Sequence, residues 1–272
     1  MSNTKIKKEL ERRYGTLAEA LVGYHDHIDF RFYDEFDDDA FAFLMKNVKG
    51  VNMLDLNETD ITDESIKLLT NLEYIYELRA KQCRNLTNNC AVDLNKLTAL
   101  TFLHLKSTEI TVDGLLNLKN LKNLKTLLFS AQDVPSIRNE LVKLKVMLLS
   151  SEIIINSKPY FFNTAELFLN AVETKPFLYK LKLKNDQSNA KWSKWIKQPV
   201  EHHVEAEMQG SYPIEDIDWV EIKPVENSPN AELSLAEDDG PSGKLIQLLD
   251  HLQFPFVIND GVFSIYILEN EI

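Results

Sequence analysis

Apolar residues recur along the first half of the chain with a period of about 24 residues. The clearest copy is Leu100-x-x-Leu103-x-Leu105-x-x-Thr108-x-Ile110, followed by Thr111 and a stretch holding Leu115, Leu118 and Leu121. Another runs Val51-x-x-Leu54-x-Leu56-x-x-Thr59-x-Ile61, then Thr62, Ile66 and Leu69. Spacing of two predicts a short strand, and the looser spacing after it predicts a helical return. With the second leucine as marker, the series is Phe30, Leu54, Leu78, Leu103, Leu127 and Met147, in steps of 24, 24, 25, 24 and 20. The remaining copies read Ile75-x-x-Leu78-x-Ala80-x-x-Cys83, Leu124-x-x-Leu127-x-Phe129 and Leu144-x-x-Met147-x-Leu149-x-x-Glu152-x-Ile154. Phe30-x-Phe32, an aspartate-rich turn and residues Ala40 to Met45 make a divergent first copy. One copy cannot bury its own apolar edge, so neighbours must stack.

These copies resemble the repeats of bacterial-type leucine-rich repeat proteins from Phe30 to Ile155. The resemblance implies an α/β leucine-rich repeat solenoid, with an arc of parallel strands, helices outside, and protein recognition as its use. The asparagine usual in the turn is replaced by Thr59, Cys83 and Thr108. Asn163-Thr164-Ala165-Glu166 opens a helix that continues through Val172. Leu178-x-x-Leu181-x-Leu183 then reads as a degenerate closing repeat. The arc is therefore expected over residues 30–189, with residues 1–29 as an N-terminal helical cap.

Residues 190–272 carry a different pattern, that of a small acidic α+β domain. Ile217-Asp218-Trp219-Val220-Glu221-Ile222 alternates like a half-buried strand, and Gly243 to Leu252 reads as an amphipathic helix. Phe254 to Ile258, the turn Asn259-Asp260-Gly261 and Val262 to Ile267 predict a hairpin. Trp192 and Trp195 begin this domain or pack it against the repeats. On these residues the region is similar to small bacterial proteins of uncharacterised function, and its layout resembles that of immunity proteins of toxin systems.

Composition fits a folded chain: 44% of the 272 residues are hydrophobic, and there are only eight glycines and nine prolines. The first residues lack the apolar run of a secretory signal, and no stretch is long enough to cross a bilayer, so a cytoplasmic location is expected. Charge sharpens the division into domains. From Glu201 onward, 16 acidic residues stand against Lys223 and Lys244, a net of −14 in a chain of −12, which leaves +2 for residues 1–200. Such asymmetry marks two different modules, and the acidic charge of the second either keeps the protein soluble or forms a surface that captures a basic protein partner. It disfavours nucleic acid and anionic membrane as ligands.

Chemistry is sparse. Cys83 and Cys90 have no zinc-like spacing and are expected as buried thiols. His25-Asp26-His27 and His202-His203 lack the further ligands of a metal site. Asp37-Asp38-Asp39 has no calcium-loop spacing and suits a helix start. Gly240-Pro241-Ser242-Gly243-Lys244 follows three acids that would repel phosphate, and reads as a turn before a helix. No catalytic motif, metal or cofactor is called for, and the chain is not expected to be an enzyme.

Recognition is instead expected on the concave face, from side chains flanking the inward leucines. These are Asp29, Arg31 and Tyr33, Met53, Asp55 and Asn57, Glu77, Arg79 and Lys81, and Phe102, His104 and Lys106. Thr126, Leu128 and Ser130, with Val146, Leu148 and Ser150, follow in the later copies. Tyr33, Asp55, Asn57, Arg79, Lys81, Phe102, His104 and Lys106 are the candidate partner-binding residues here, with Tyr33 and Phe102 as aromatic anchors. Asp216, Asp218 and Glu221 are the candidates in the acidic domain. The expected function is a cytoplasmic immunity protein that neutralises a basic toxin domain by binding it. The alternative is an adaptor joining two proteins.

Overall fold

The computed structural model describes residues 3–160, 167–168, 170, 172, 177–184, 191–194, 196–197, 203–213, 216–224, 241–252, 254, 256–259 and 262–266. The chain divides into two compact modules, Met1–Tyr160 and Phe161–Ile272. Divided there, the first holds 23 acidic and 21 basic side chains (−2) and the second 19 and nine (−10).

In the N-terminal module, helix α1 (Asn3–Ala20) leads into β1 (Gly23–Asp29), α2 (Asp38–Met45), β2 (Val48–Asp55) and α3 (Asp63–Leu69). Next come β3 (Tyr74–Arg79), a 3-10 turn with α4 (Ala91–Leu94), β4 (Phe102–Leu105) and α5 (Val112–Leu115). The module closes with β5 (Thr126–Phe129), α6 (Arg138–Met147), β6 (Glu152–Ile155) and β7 (Lys158–Pro159). The strands form one seven-stranded sheet in chain order; β1 to β6 are parallel and β7 is antiparallel. Ile28, Leu54, Leu78, Leu103, Leu127 and Ile153 stand side by side in register and are buried. The result is a repeating strand–helix sheet.

Two polar devices recur from copy to copy, and the second of them joins neighbours. In the turns, Thr59 Oγ donates to the Leu56 carbonyl at 2.7 Å, Cys83 Sγ to the same carbonyl at 2.9 Å, and Thr108 Oγ to that of Leu105 at 2.9 Å. On the helix side, the Asp63 carboxylate accepts from Thr87 N at 2.8 Å and Thr87 Oγ at 2.6 Å. Asp38 accepts from Thr62 and Ser65, and the Asn88 amide makes the equivalent bonds with Thr111. Asp38 thus reaches the next copy, while Asp37 caps α2 by accepting from Ala40 N. Both cysteines are free and buried.

Three sequence expectations change. The helical N-terminal stretch ends at Ala20, and the first strand starts at Gly23, so the marker there is Ile28 and Phe30 aligns with Leu56. Met147 is not a strand marker but the last residue of α6, whose buried Leu141, Val142 and Leu144 recur at helical spacing. Val146 therefore lies in a helix and Leu148 and Ser150 beyond its end, and the strand position belongs to the β-branched run Ile153-Ile154-Ile155. Lys145 Nζ donates to the carbonyls of Leu149 and Ser151 just past α6, and burial lowers its pKa. The expected closing repeat lies in the C-terminal module: β8 (Phe177–Leu183) pairs antiparallel with β12 (Ile217–Pro224).

Among its described residues the C-terminal module holds two antiparallel sheets. One has the order β13 (Phe256–Asn259), β14 (Val262–Tyr266), β12, β8; the other β11 (Gly210–Pro213), β10 (His203–Ala206), β9 (Ile196–Lys197). Phe177, Tyr179, Leu181, Val220, Ile222, Phe263 and Ile265 bury one face of the larger sheet. Helix α7 (Pro241–His251) buries its Leu245, Leu248 and Leu249 stripe. The strand, helix and hairpin expected from the sequence occur in that order. The first turn of the helix expected from Asn163 lies outside the described residues.

Candidate functional site: the outer face of the parallel sheet

Because strand residues alternate, those flanking the buried markers line the opposite face in rows set by the register. One row is His27, Met53, Glu77, Phe102, Thr126 and Glu152; the next is Asp29, Asp55, Arg79, His104, Leu128 and Ile154. Just past the strands come Arg31, Asn57, Lys81, Lys106, Ser130 and Asn156.

At the β1–β2 end the charges neutralise one another. Arg31 meets Asp29 at 2.7 Å and Asp55 at 3.3 Å. The hydrogen bond from Arg31 holds the Asp29 carboxyl below its ordinary range. Asp55 is only 2% exposed and also accepts from Asn57 N at 3.0 Å. Asn57 Oδ1 accepts from Lys81 N at 2.7 Å, so this side chain is committed to holding neighbouring strands together.

The middle of the face is cationic. Arg79 pairs with Glu77 at 3.0 Å and covers the Phe102 ring, its guanidinium carbon 5.4 Å from the ring centre. Phe102 in turn meets His104 edge-on at 6.4 Å. Lys81 reaches Glu58 at 3.5 Å, and Lys106 donates to Ser157 Oγ at 2.7 Å. Burial, and then the charges of Lys81, Lys106 and Arg79, push the His104 pKa down. Beyond it, Leu128 and Ile154 leave a half-buried apolar strip.

Of the residues expected on this face, Arg79, Lys81, Phe102, His104 and Lys106 do come together on adjacent strands. Tyr33 lies elsewhere, at the turn after β1, edge-on to Tyr14 and Phe30 in an aromatic cluster. Phe32, which sequence reasoning passed over, is 81% exposed with Arg31 stacked 5.1 Å from its ring centre. Its place after an inward-facing Phe30 made it look like core. Ile154 escapes the leucine pattern because that pattern points to a strand at Met147, which ends a helix, whereas the strand is Glu152–Ile155.

Asp216, Asp218 and Glu221 belong to the other module. Asp216 is exposed and Asp218 half-buried. Glu221 is engaged within the module, with Lys180 Nζ at 2.6 Å and Trp219 Nε1 donating at 3.2 Å. Lys180 also lies 5.1 Å from the Trp192 ring centre, and Lys223 lies 4.5 Å from it.

Among the described residues, no group of three or more His, Cys, Asp and Glu side chains could hold a metal ion. No helix among them is long and apolar enough to cross a membrane. No protein-family profile matches the chain, and no curated protein matches its sequence significantly.

Proposed function

We propose that this is a non-catalytic protein-binding protein of leucine-rich repeat type whose outer sheet face is the recognition surface. The observation that carries the reading is the cluster of Arg79, Lys81, Phe102, His104 and Lys106, brought by parallel register onto one face. Arginine and aromatic side chains held in fixed geometry are what a protein interface uses for binding energy. Toxin neutralisation in the cytoplasm is the form of binding best suited to it, because the C-terminal module adds a net charge of −10 that would speed capture of a basic domain.

An adaptor role is the second reading, favoured by the separation into two modules with their own sheets and cores. Affinity capture from the native cells with the tagged protein, eluted at moderate and high salt, separates the two. One stoichiometric basic partner, lost on Arg79→Ala or Phe102→Ala, supports neutralisation. Several unrelated partners held independently by the two modules support the adaptor. No partner sensitive to face substitutions overturns both.

A further inference from the structure

The outer face has an unbalanced centre. Arg79, Lys81 and Lys106 surround the half-buried His104, and their field presses its pKa down alongside burial. Glu77 and Glu58 answer Arg79 and Lys81, whereas the Lys106 ammonium has only the Ser157 hydroxyl as its hydrogen-bond partner among the described residues. Four buried side-chain atoms among those residues lack a hydrogen-bond partner, and two of them lie here: Arg79 Nε and His104 Nε2, on directly paired residues of β3 and β4. Buried polar atoms without partners beside an unanswered cation leave an uncompensated positive field, which added negative charge at the surface would relieve.

An anion fits this centre, and its surroundings select the kind. Asp29, Asp55, Glu58 and Glu77 stand close by, and the module has a net charge of −2. A nucleic-acid backbone needs a longer cationic track than this and would meet those carboxylates. Leu128 pairs with His104 in register and Phe102, two residues earlier on the same strand, meets its ring edge-on, so both offer apolar contact beside the charge. We propose that this face takes an acidic segment of a partner protein, with a carboxylate seated between Lys81 and Lys106 and an apolar neighbour over Leu128. This rests on the outer face being the recognition surface.

A seated carboxylate offsets the field of the three cations, so His104 gains affinity for a proton on binding. By linkage, binding then strengthens as pH falls through the imidazole range. The surrounding charges that shape this response are Arg79, Lys81, Lys106, Asp55, Glu58 and Glu77.

The test uses the full chain and a fluorescein-labelled peptide of alternating glutamate and leucine, read by anisotropy. Comparison probes are a lysine–leucine peptide, an oligothymidylate of equal charge and inorganic phosphate. The His104 imidazole is followed by NMR. Expected are saturable binding of the glutamate peptide, a raised His104 pKa with that peptide and not with the lysine–leucine one, and a loss of about tenfold or more in K81Q/K106Q for the glutamate peptide only. Equal binding of oligothymidylate or phosphate, or an unmoved His104, overturns the proposal. If K81Q/K106Q still captures the cellular partner while Leu128→Arg does not, the acidic-segment inference fails and the recognition face stands. If Leu128→Arg and Arg79→Ala also leave capture intact, the recognition face falls with it.

Discussion

The ring of Tyr74 occupies the space beside Gly50, its Cε1 only 2.6 Å from where a Cβ on that glycine would lie. The ring cannot easily retreat. It stacks on Tyr24 of β1 at 6.0 Å and on Tyr76 of β3 at 4.9 Å. Glycine in β2 therefore lets rings from the strands on either side meet across it. Gly50→Ala is expected to destabilise the N-terminal module by about 1–3 kcal/mol through overpacking. Urea denaturation checks this, and adding Tyr74→Ala in the same chain should recover part of the loss attributable to the clash.

Asp63 links two copies through its paired bonds to Thr87. Removing the carboxylate strands the threonine amide at a helix start. Asp63→Ala should cost about 1.5–3 kcal/mol, the usual range for hydrogen bonds to a charged group. Asp63→Asn, which keeps one acceptor, should cost less. Thermal denaturation of the two variants side by side gives the comparison.

His104 makes stability depend on pH. Its folded pKa is depressed, first by burial and then by neighbouring cations. The unfolded chain therefore binds more protons as pH falls below about 6.5, and stability declines from there down through the folded pKa. His104→Gln should remove that slope while leaving the acid limb below about pH 4 intact. That lower limb includes Asp38: burial raises its pKa, but bonds from Ser65 and Thr62 outweigh this and leave it depressed, so its contribution is lost on acidification.

Gln82 adopts a left-handed conformation, φ 61°, and from it donates its N–H to the Lys106 carbonyl at 2.8 Å. Glu58 and Ser107 hold the corresponding turns at φ 65° and 59°. A β-branched residue at this φ is strained, so Gln82→Val should destabilise by about 1–2 kcal/mol. Gln82→Gly removes the steric strain but adds unfolded-chain entropy, and should stay within about 1 kcal/mol of the parent. Denaturation midpoints of the pair decide this.

The central strands were legible from sequence because Leu54, Leu78, Leu103 and Leu127 are all inward and nearly equidistant. At the first strand, Ile28 and Phe30 both point inward, and a slide of two residues keeps every side chain on the same face, so the pattern could not choose between them. At Met147, leucine spacing fitted both a strand and a helix, and the helix won. Leu178 to Leu183 alternates like a repeat strand, but alternation does not reveal whether a partner runs parallel or antiparallel. The cluster around His104 was legible once the markers aligned. Its unsatisfied atoms were not, because they depend on side-chain geometry. Glu221 was expected to face a partner because Lys180, which engages it, lay in a segment assigned to the repeats.

After β6, Asn156 and Ser157 turn the chain back with φ of 52° and 68°, the positive pair that a tight hairpin needs. That reversal acts as an end-stop on a ruler. Upstream of it the strand–helix increments follow one register, so duplication or loss of one of them would lengthen or shorten the sheet while both ends kept their form. Sheet length is thus a quantity that recombination can adjust separately from the side chains displayed along it.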